Sequence, residues 1–305
     1  LVGSEMCIRD RPFRIVYLTN VGGSYNMLGE TLRLTREVLL EVSDFRRENC
    51  PLSALTLGVK CGTSDATSGI AGNPCVGAAF DQLIRAGGTA FFSETTEIIG
   101  AEDLVAKRAV NESVAKKILS AAKHWEDKAK ATGEDIRKIN PIPANIAAGI
   151  SSLEEKSLGA IAKSGTSPIQ DVLKYAEMPK GSGLYFVDSW MSSLSLPLCL
   201  TACGATIMLY QMGGGKIAQH PMMPSINPTV VSPFLYLTGN AIAYSRAPDN
   251  FDFDASPIMT EGASIPEMGT KLLEHLSAIA SGTMTKMETL NYAEQLELYM
   301  EGPVL

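Results

Sequence analysis

The sequence predicts an α/β protein: mostly parallel sheets with flanking helices, arranged as two Rossmann-like halves. Three observations carry this. Short apolar runs, each the length of a buried strand, alternate with longer stretches whose apolar residues recur at helical spacing. Gly-rich or polar loops follow several of those runs, where an open α/β sheet places its ligand loops. The 305 residues, 45% hydrophobic and 19% charged, fit an ordinary globular protein with a sizeable core.

Taken in order, residues 1–11 (LVGSEMCIRDR) lack periodicity and read as a non-native segment of translated adaptor type, so the natural chain is expected to begin earlier with other residues. The first half is expected over 12–180 and the second over 181–305. Residues 13–19 predict a buried strand and 26–48 a long helix, with Leu28, Leu32, Val38, Val42 and Phe45 near helical spacing. Residues 55–59 predict the next strand, 76–86 a helix stopped by Gly87-Gly88, and 89–93 a strand. That order implies right-handed parallel crossovers. Helices follow at 101–109 and 111–132, closed by Gly133; their lysines read as a solvated face. Asn140-Pro141-Ile142-Pro143-Ala144-Asn145 is a stiff loop, because two prolines fix φ and keep their predecessors extended. Such a loop can hold Asn140 and Asn145 at a site or simply connect. Ser152 opens a helix with a capping-box-like pattern, and a second helix is expected around Tyr175-Ala176-Glu177. The second half reads as strand 183–188, helix 194–203, strand 205–210, a Gly213-Gly214-Gly215-Lys216 loop, strand 235–238 and helix 266–280.

The totals exclude several classes. A net charge of −7 argues against a nucleic-acid or acidic-membrane surface. Six cysteines without CxxC are no disulfide scaffold and suit a reducing cytoplasm. His124, His220 and His275 belong to no zinc pattern, whereas a hard cation on oxygen ligands stays open. The greasiest stretch, 194–210, is broken by Ser195, Pro197, Thr201 and Gly204, and reads as a buried helix and strand. No signal peptide is recognisable.

The segment that promises chemistry is KCGTSDATSGIAGNP, residues 60–74, between a predicted strand and a predicted helix. Thr63, Ser64, Asp65, Thr67, Ser68 and Asn73 offer hydroxyl, carboxylate and amide groups, and the glycines allow close backbone approach. A turn whose Ser and Asp side chains merely cap the next helix is the competing account. Just past the strand at 89–93, Glu94, Glu97 and Glu102 gather three carboxylates.

KCGTSDATSGIAGNP, GGTAFFSETTEIIGAEDLVAKRA, NPIPAN, EEKSLGAIAKSGTSPI and ASGTMTKME together resemble the altronate/galactarate dehydratase family, in order and spacing, over roughly residues 13–305. The resemblance implies elimination of water from a sugar acid to give a 2-keto-3-deoxy acid, with Fe²⁺ or Mn²⁺ as cofactor. It also implies a small β-rich partner domain or subunit and a homo-oligomer. A sulfolactate-type sulfo-lyase and a non-catalytic binding or scaffold paralogue are the alternatives. Such chemistry needs a base for the proton α to the carboxylate, an electrophile for the enediolate and an acid for the leaving group. On this resemblance Asp65, Glu97 and Lys60 are the catalytic candidates. Cys61, Thr63, Ser64, Ser68, Asn73, Arg108, Asn140 and Asn145 are the candidates for binding a small-molecule hydroxy acid, with Lys60 or Arg108 on its carboxylate. Asp65, Glu97 and Glu102 are the metal candidates, although Glu102 also reads as a helix-start carboxylate. Relatives usually carry a lysine where Ile146 stands and an arginine within the loop at 211–215, so anion recognition is expected to differ.

Overall fold

The computed structural model describes residues 14–214, 229, 231–290 and 297. The 1–11 segment, Gly215, Lys216 and His220 lie outside them. The chain divides into two units, Leu1–Cys50 and Pro51–Leu305. In the first, the strand expected over 13–19 is not formed. Leu18–Val21 make one helical turn ended by Gly22 at φ 83°, and helix α1 spans Ser24–Ser43. An apolar run becomes a strand only where a neighbour takes its backbone hydrogen bonds, and this unit supplies none among the described residues.

The second unit is built on strands β1 (Thr56–Gly62), β2 (Thr89–Phe92), β3 (Ile169–Leu173), β4 (Gly183–Val187), β5 (Ile207–Met212), β6 (Phe234–Thr238) and β7 (Phe253–Asp254). They form one sheet in the order β3-β4-β2-β1-β5-β6-β7, with every pair parallel. The two halves expected on either side of residue 180 share this sheet, since β3 lies beside β4. The helix expected at 175–177 is corrected: the segment before it is the edge strand β3, and Ala176 sits in a turn at φ 59°. The polar Gln170 and Asp171 interrupt that strand's apolar run and hide its period. The two-residue β7 was also not predicted.

The inner strands are buried along nearly their whole length because helices cover both faces. On one face, helices α2 (Asn73–Arg85), α3 (Glu112–Ala131) and, further on, Ile265–Ala280 pack over Leu57, Val59, Phe92, Leu209 and Leu235. On the other, Ser195–Ala202 packs near Met208, Tyr210, Phe234 and Tyr236. Successive strands run from β1 outward through β2, then the chain returns to the other side of β1 at β5. The carboxyl ends of β1 and β5 therefore flank the topological switch point, where an open α/β sheet leaves a crevice.

Candidate functional site

The loop leaving β1 closes over that crevice. It runs through a single π-turn, Ser68–Gly72, into α2, with Pro74 in the first turn. Asp65 organises it. Its Oδ1 accepts from Thr67 Oγ1 at 2.6 Å and Ser68 N at 3.1 Å, and its Oδ2 from Asn240 Nδ2 at 2.9 Å. Asn240 stands just past β6. After β5, Gly213 leaves room for Asp65, since a Cβ there would lie 2.6 Å from its Cγ.

Helix α4, Leu153–Ile161, forms the facing wall. It meets the π-turn at two glycines: a Cβ on Gly69 would lie 3.0 Å from Gly159 Cα. Asn73 donates from Nδ2 to Gly159 O at 2.8 Å, while its buried Oδ1 has no hydrogen-bond partner. Between the walls lies a cavity of about 560 Å³ lined by Ser64, Asp65, Ser68, Asn73, Lys156 and others. The loop is thus more than a helix cap: it presents hydroxyls, a carboxylate and an orphaned amide oxygen to a cavity.

A second group of charges is buried at the carboxyl ends of β1 and β2. Glu94, fully inaccessible, adopts left-handed backbone at φ 71°, a strain of about 1–2 kcal/mol for a residue with a Cβ. Its Oε2 accepts from Cys61 N at 3.0 Å and from Lys163 Nζ, and Lys60 Nζ lies 3.3 Å from Oε1. Lys163 also binds Glu97 Oε2 at 2.9 Å. The four side chains form an alternating, neutral set of two ammoniums and two carboxylates. Burial pushes the Glu94 carboxyl up, and the Glu97 charge adds to it. Burial acts on Glu97 likewise, but Lys163, Lys156 and Lys60 outweigh it and hold that carboxyl at about 2. Burial opposes the charge of Lys163, and Glu94 and Glu97 overcome it, so its ammonium is held above the ordinary lysine range. Lys60 is raised in the same way, burial being outweighed by its acidic neighbours Tyr210 and Glu94.

The remaining sequence candidates fall into place around these two groups. Cys61 Sγ is 3.2 Å from Ser64 Oγ, and burial lifts the thiol to about 11. Thr63 takes left-handed backbone at φ 40° and accepts from Gly214 N at 3.4 Å. Arg108 braces the loop after α4, donating to Ser164 Oγ, Ser164 O and Ser167 O at 2.8–3.1 Å. It does not line the cavity. Glu102 pairs with Arg137 at 2.6 Å and accepts from Gly100 N, as a helix-start carboxylate would. Asn140 and Asn145 both hold Lys156, at 2.6 and 3.0 Å.

Sequence reasoning missed Lys156, Lys163 and Asn240. The lysines stand seven apart on α4 and the turn after it, amid small and apolar residues. That spacing puts two cations on one helix face otherwise suited to burial, and was the available signal.

A divalent cation does not fit the carboxylates as arranged. Among the described residues no three His, Cys, Asp or Glu side chains form a group that could hold a metal. Glu97 is neutralised by Lys163, Glu102 by Arg137, and Asp65 belongs to no group with two other such side chains.

A parallel α/β sheet with a cavity at its switch point, lined in part by hydroxyl, amide and carboxylate side chains, fits a broad class of small-molecule enzymes and binders. Within it, residues 52–303 match the family model described as D-galactarate/Altronate dehydratase, C-terminal, and the chain belongs to that family. It is 33% identical over 276 residues to the (2R)-sulfolactate sulfo-lyase subunit beta of Chromohalobacter salexigens, covering 89% of this chain and 68% of that one. It is 34% identical over 283 residues to the galactarate dehydratase (L-threo-forming) of Escherichia coli, covering 92% and 52%. With the altronate dehydratase of Bacillus subtilis the identity is 33% over 272 residues, covering 89% and 52%. The chain therefore spans about half the length of the dehydratases it matches. No helix among the described residues is long and apolar enough to cross a membrane.

Proposed function

We propose that this chain carries the substrate cavity of a hydro-lyase that removes water from a sugar acid to give a 2-keto-3-deoxy acid. The observation that carries the reading is the buried, partnerless Asn73 Oδ1 on a cavity also lined by Ser64, Ser68 and Asp65. A buried acceptor without a partner asks for a donor, and a ligand hydroxyl supplies one. The volume of about 560 Å³ leaves ample room for a six-carbon acid.

In this reading Asn73, Ser64 and Ser68 hold hydroxyls. Asp65, the buried one of the three carboxylates that line the cavity with Glu154 and Glu155, takes the proton from C2, whose bonding pair forms the C2–C3 double bond. The C3–O bond breaks, and the leaving hydroxyl departs as water on receiving that proton back from the Asp65 carboxyl. The resulting enol becomes the ketone by tautomerisation in solvent. The buried Lys60–Glu94–Lys163–Glu97 set fixes the strand ends that carry the loop. The reading places the enzyme in the cytoplasm, consistent with free thiols at Cys50, Cys61, Cys75, Cys199 and Cys203.

The extent of the match to a sulfo-lyase subunit favours one second reading, in which sulfite leaves C3 of sulfolactate instead of water. The test is the full-length protein, with any small partner subunit, given aldonic and aldaric acids and sulfolactate, with and without Fe²⁺ or Mn²⁺. Keto acid without sulfite, lost in Asp65→Ala and Asn73→Leu, supports the dehydratase. Sulfite release moves the chemistry to the second reading, and silence on the whole panel overturns both.

A further inference from the structure

Lys156 of α4 is one of the residues lining the cavity and is only 7% exposed. Its ammonium donates to Asn140 Oδ1 at 2.6 Å and Asn145 Oδ1 at 3.0 Å, both neutral. Among the described residues no carboxylate lies within ion-pair distance. The Asn145 amide is locked in that orientation, because its Nδ2 donates to Ser64 O at 2.9 Å. An ammonium has three donors, and two are occupied. Among the described residues the other deeply buried lysines, Lys60 and Lys163, each have a carboxylate partner.

We infer that Lys156 is the anchor for the carboxylate of the bound acid, held ready in a neutral cradle by Asn140 and Asn145. This rests on the hydroxy-acid reading and adds to it a specificity-determining residue. Taking a cation out of water is unfavourable; Glu97 acts on Lys156 only from beyond ion-pair distance, and an anion arriving in the cavity supplies the direct partner. Neutral amide oxygens suit this role better than a carboxylate would, since they fix the ammonium without neutralising it. The same charge, placed beside the carboxylate, stabilises the negative charge that develops there as the C2 proton leaves. The acid thus presents a carboxylate to Lys156 and a hydroxyl donor to Asn73, which selects 2-hydroxy acids over neutral polyols.

The test is reductive methylation of the full-length protein with formaldehyde and borohydride, lysine by lysine, by mass spectrometry. Buried Lys60 and Lys163 serve as unreactive references and exposed Lys116 as the reactive one. The ligands are galactarate, altronate, malonate and the neutral galactitol, with binding measured in parallel by calorimetry. The expected result is protection of Lys156 by the acids and not by galactitol, with acid affinity in Lys156→Met reduced at least about tenfold. Acids that bind without protecting Lys156, and bind Lys156→Met as tightly, overturn the anchor and leave the hydroxy-acid reading standing. Protection by malonate with no binding of either sugar acid supports the anchor and overturns that reading. Protection by none of the anions overturns the anchor.

Discussion

Replacing Lys163 by Met removes the ammonium that separates two buried carboxylates. Glu94 and Glu97 are 0% and 3% exposed, and Lys163 bonds to both. Removing one partner of a buried pair typically costs about 3–5 kcal/mol, a large share of the roughly 5–15 kcal/mol that holds a natural domain folded. For a unit of this size that corresponds to a fall in Tm of about 10 °C. The pH dependence identifies the cause. In the native protein Glu97 is held at about 2 against an ordinary 4.5. Its contribution is therefore present above about 4.5 and lost as the pH falls towards 2. Without Lys163 the two carboxylates repel, and one of them takes up a proton well above that range. The stability deficit of the variant is then largest near pH 7 and shrinks by pH 5. Urea unfolding followed by circular dichroism at both pH values measures it. A deficit below about 1 kcal/mol, or one equal at pH 5 and pH 7, refutes the electrostatic account. Adding Glu97→Gln to Lys163→Met recovers part of the loss, because Lys60 still pairs with Glu94 and Glu97 carries the charge left without an ion-pair partner.

Two further outcomes are expected. Asp81 accepts from the backbone and hydroxyl groups of Thr166 and Ser167 at 2.6–3.0 Å, and these bonds outweigh burial to hold its carboxyl below the usual range. Asp81→Asn should lower stability by about 2–4 kcal/mol in urea titration at pH 7, and less as the pH falls below the ordinary carboxylate value; an unchanged midpoint contradicts this. Burial lifts Cys61 to about 11 and Cys75 to about 12, whereas Cys50 is exposed. Iodoacetamide at pH 7.5, read by peptide mass spectrometry, should therefore label Cys50 in the folded protein and reach Cys61 and Cys75 only on unfolding; equal rates at all three contradict it.

The parallel α/β order was legible because inner strands buried on both faces read as unbroken apolar runs, as at 55–59, 183–187 and 235–238. Residues 13–19 have the same composition, and only pairing distinguishes them; nothing local reports whether a partner strand exists. The edge strand β3 was lost for the opposite reason, its polar residues disguising a run that is half exposed. At the site, the 60–73 loop was recognisable from its hydroxyls, amides and glycines together, and the structure does bring Ser64, Asp65, Ser68 and Asn73 to one cavity. Glu94 was visible only as one of three carboxylates. Its left-handed backbone and its position between two lysines arise from tertiary packing. Lys156 and Lys163 were not singled out, because a seven-residue spacing does not by itself report depth.

The contact between Gly69 and Gly159 has a consequence for ligand selection. It joins the wall that carries Asn73 to the wall that carries Lys156, backbone against backbone, with a Cβ on either glycine lying only about 3.0–3.1 Å from the opposite Cα. A junction without side chains has no rotamers to adjust, so the spacing between the two walls is set before any ligand arrives. The cavity then behaves as a fixed calliper. It admits molecules by the distance between their charged end and their first hydroxyls, and a substitution as small as alanine at Gly69 or Gly159 would reset the gauge.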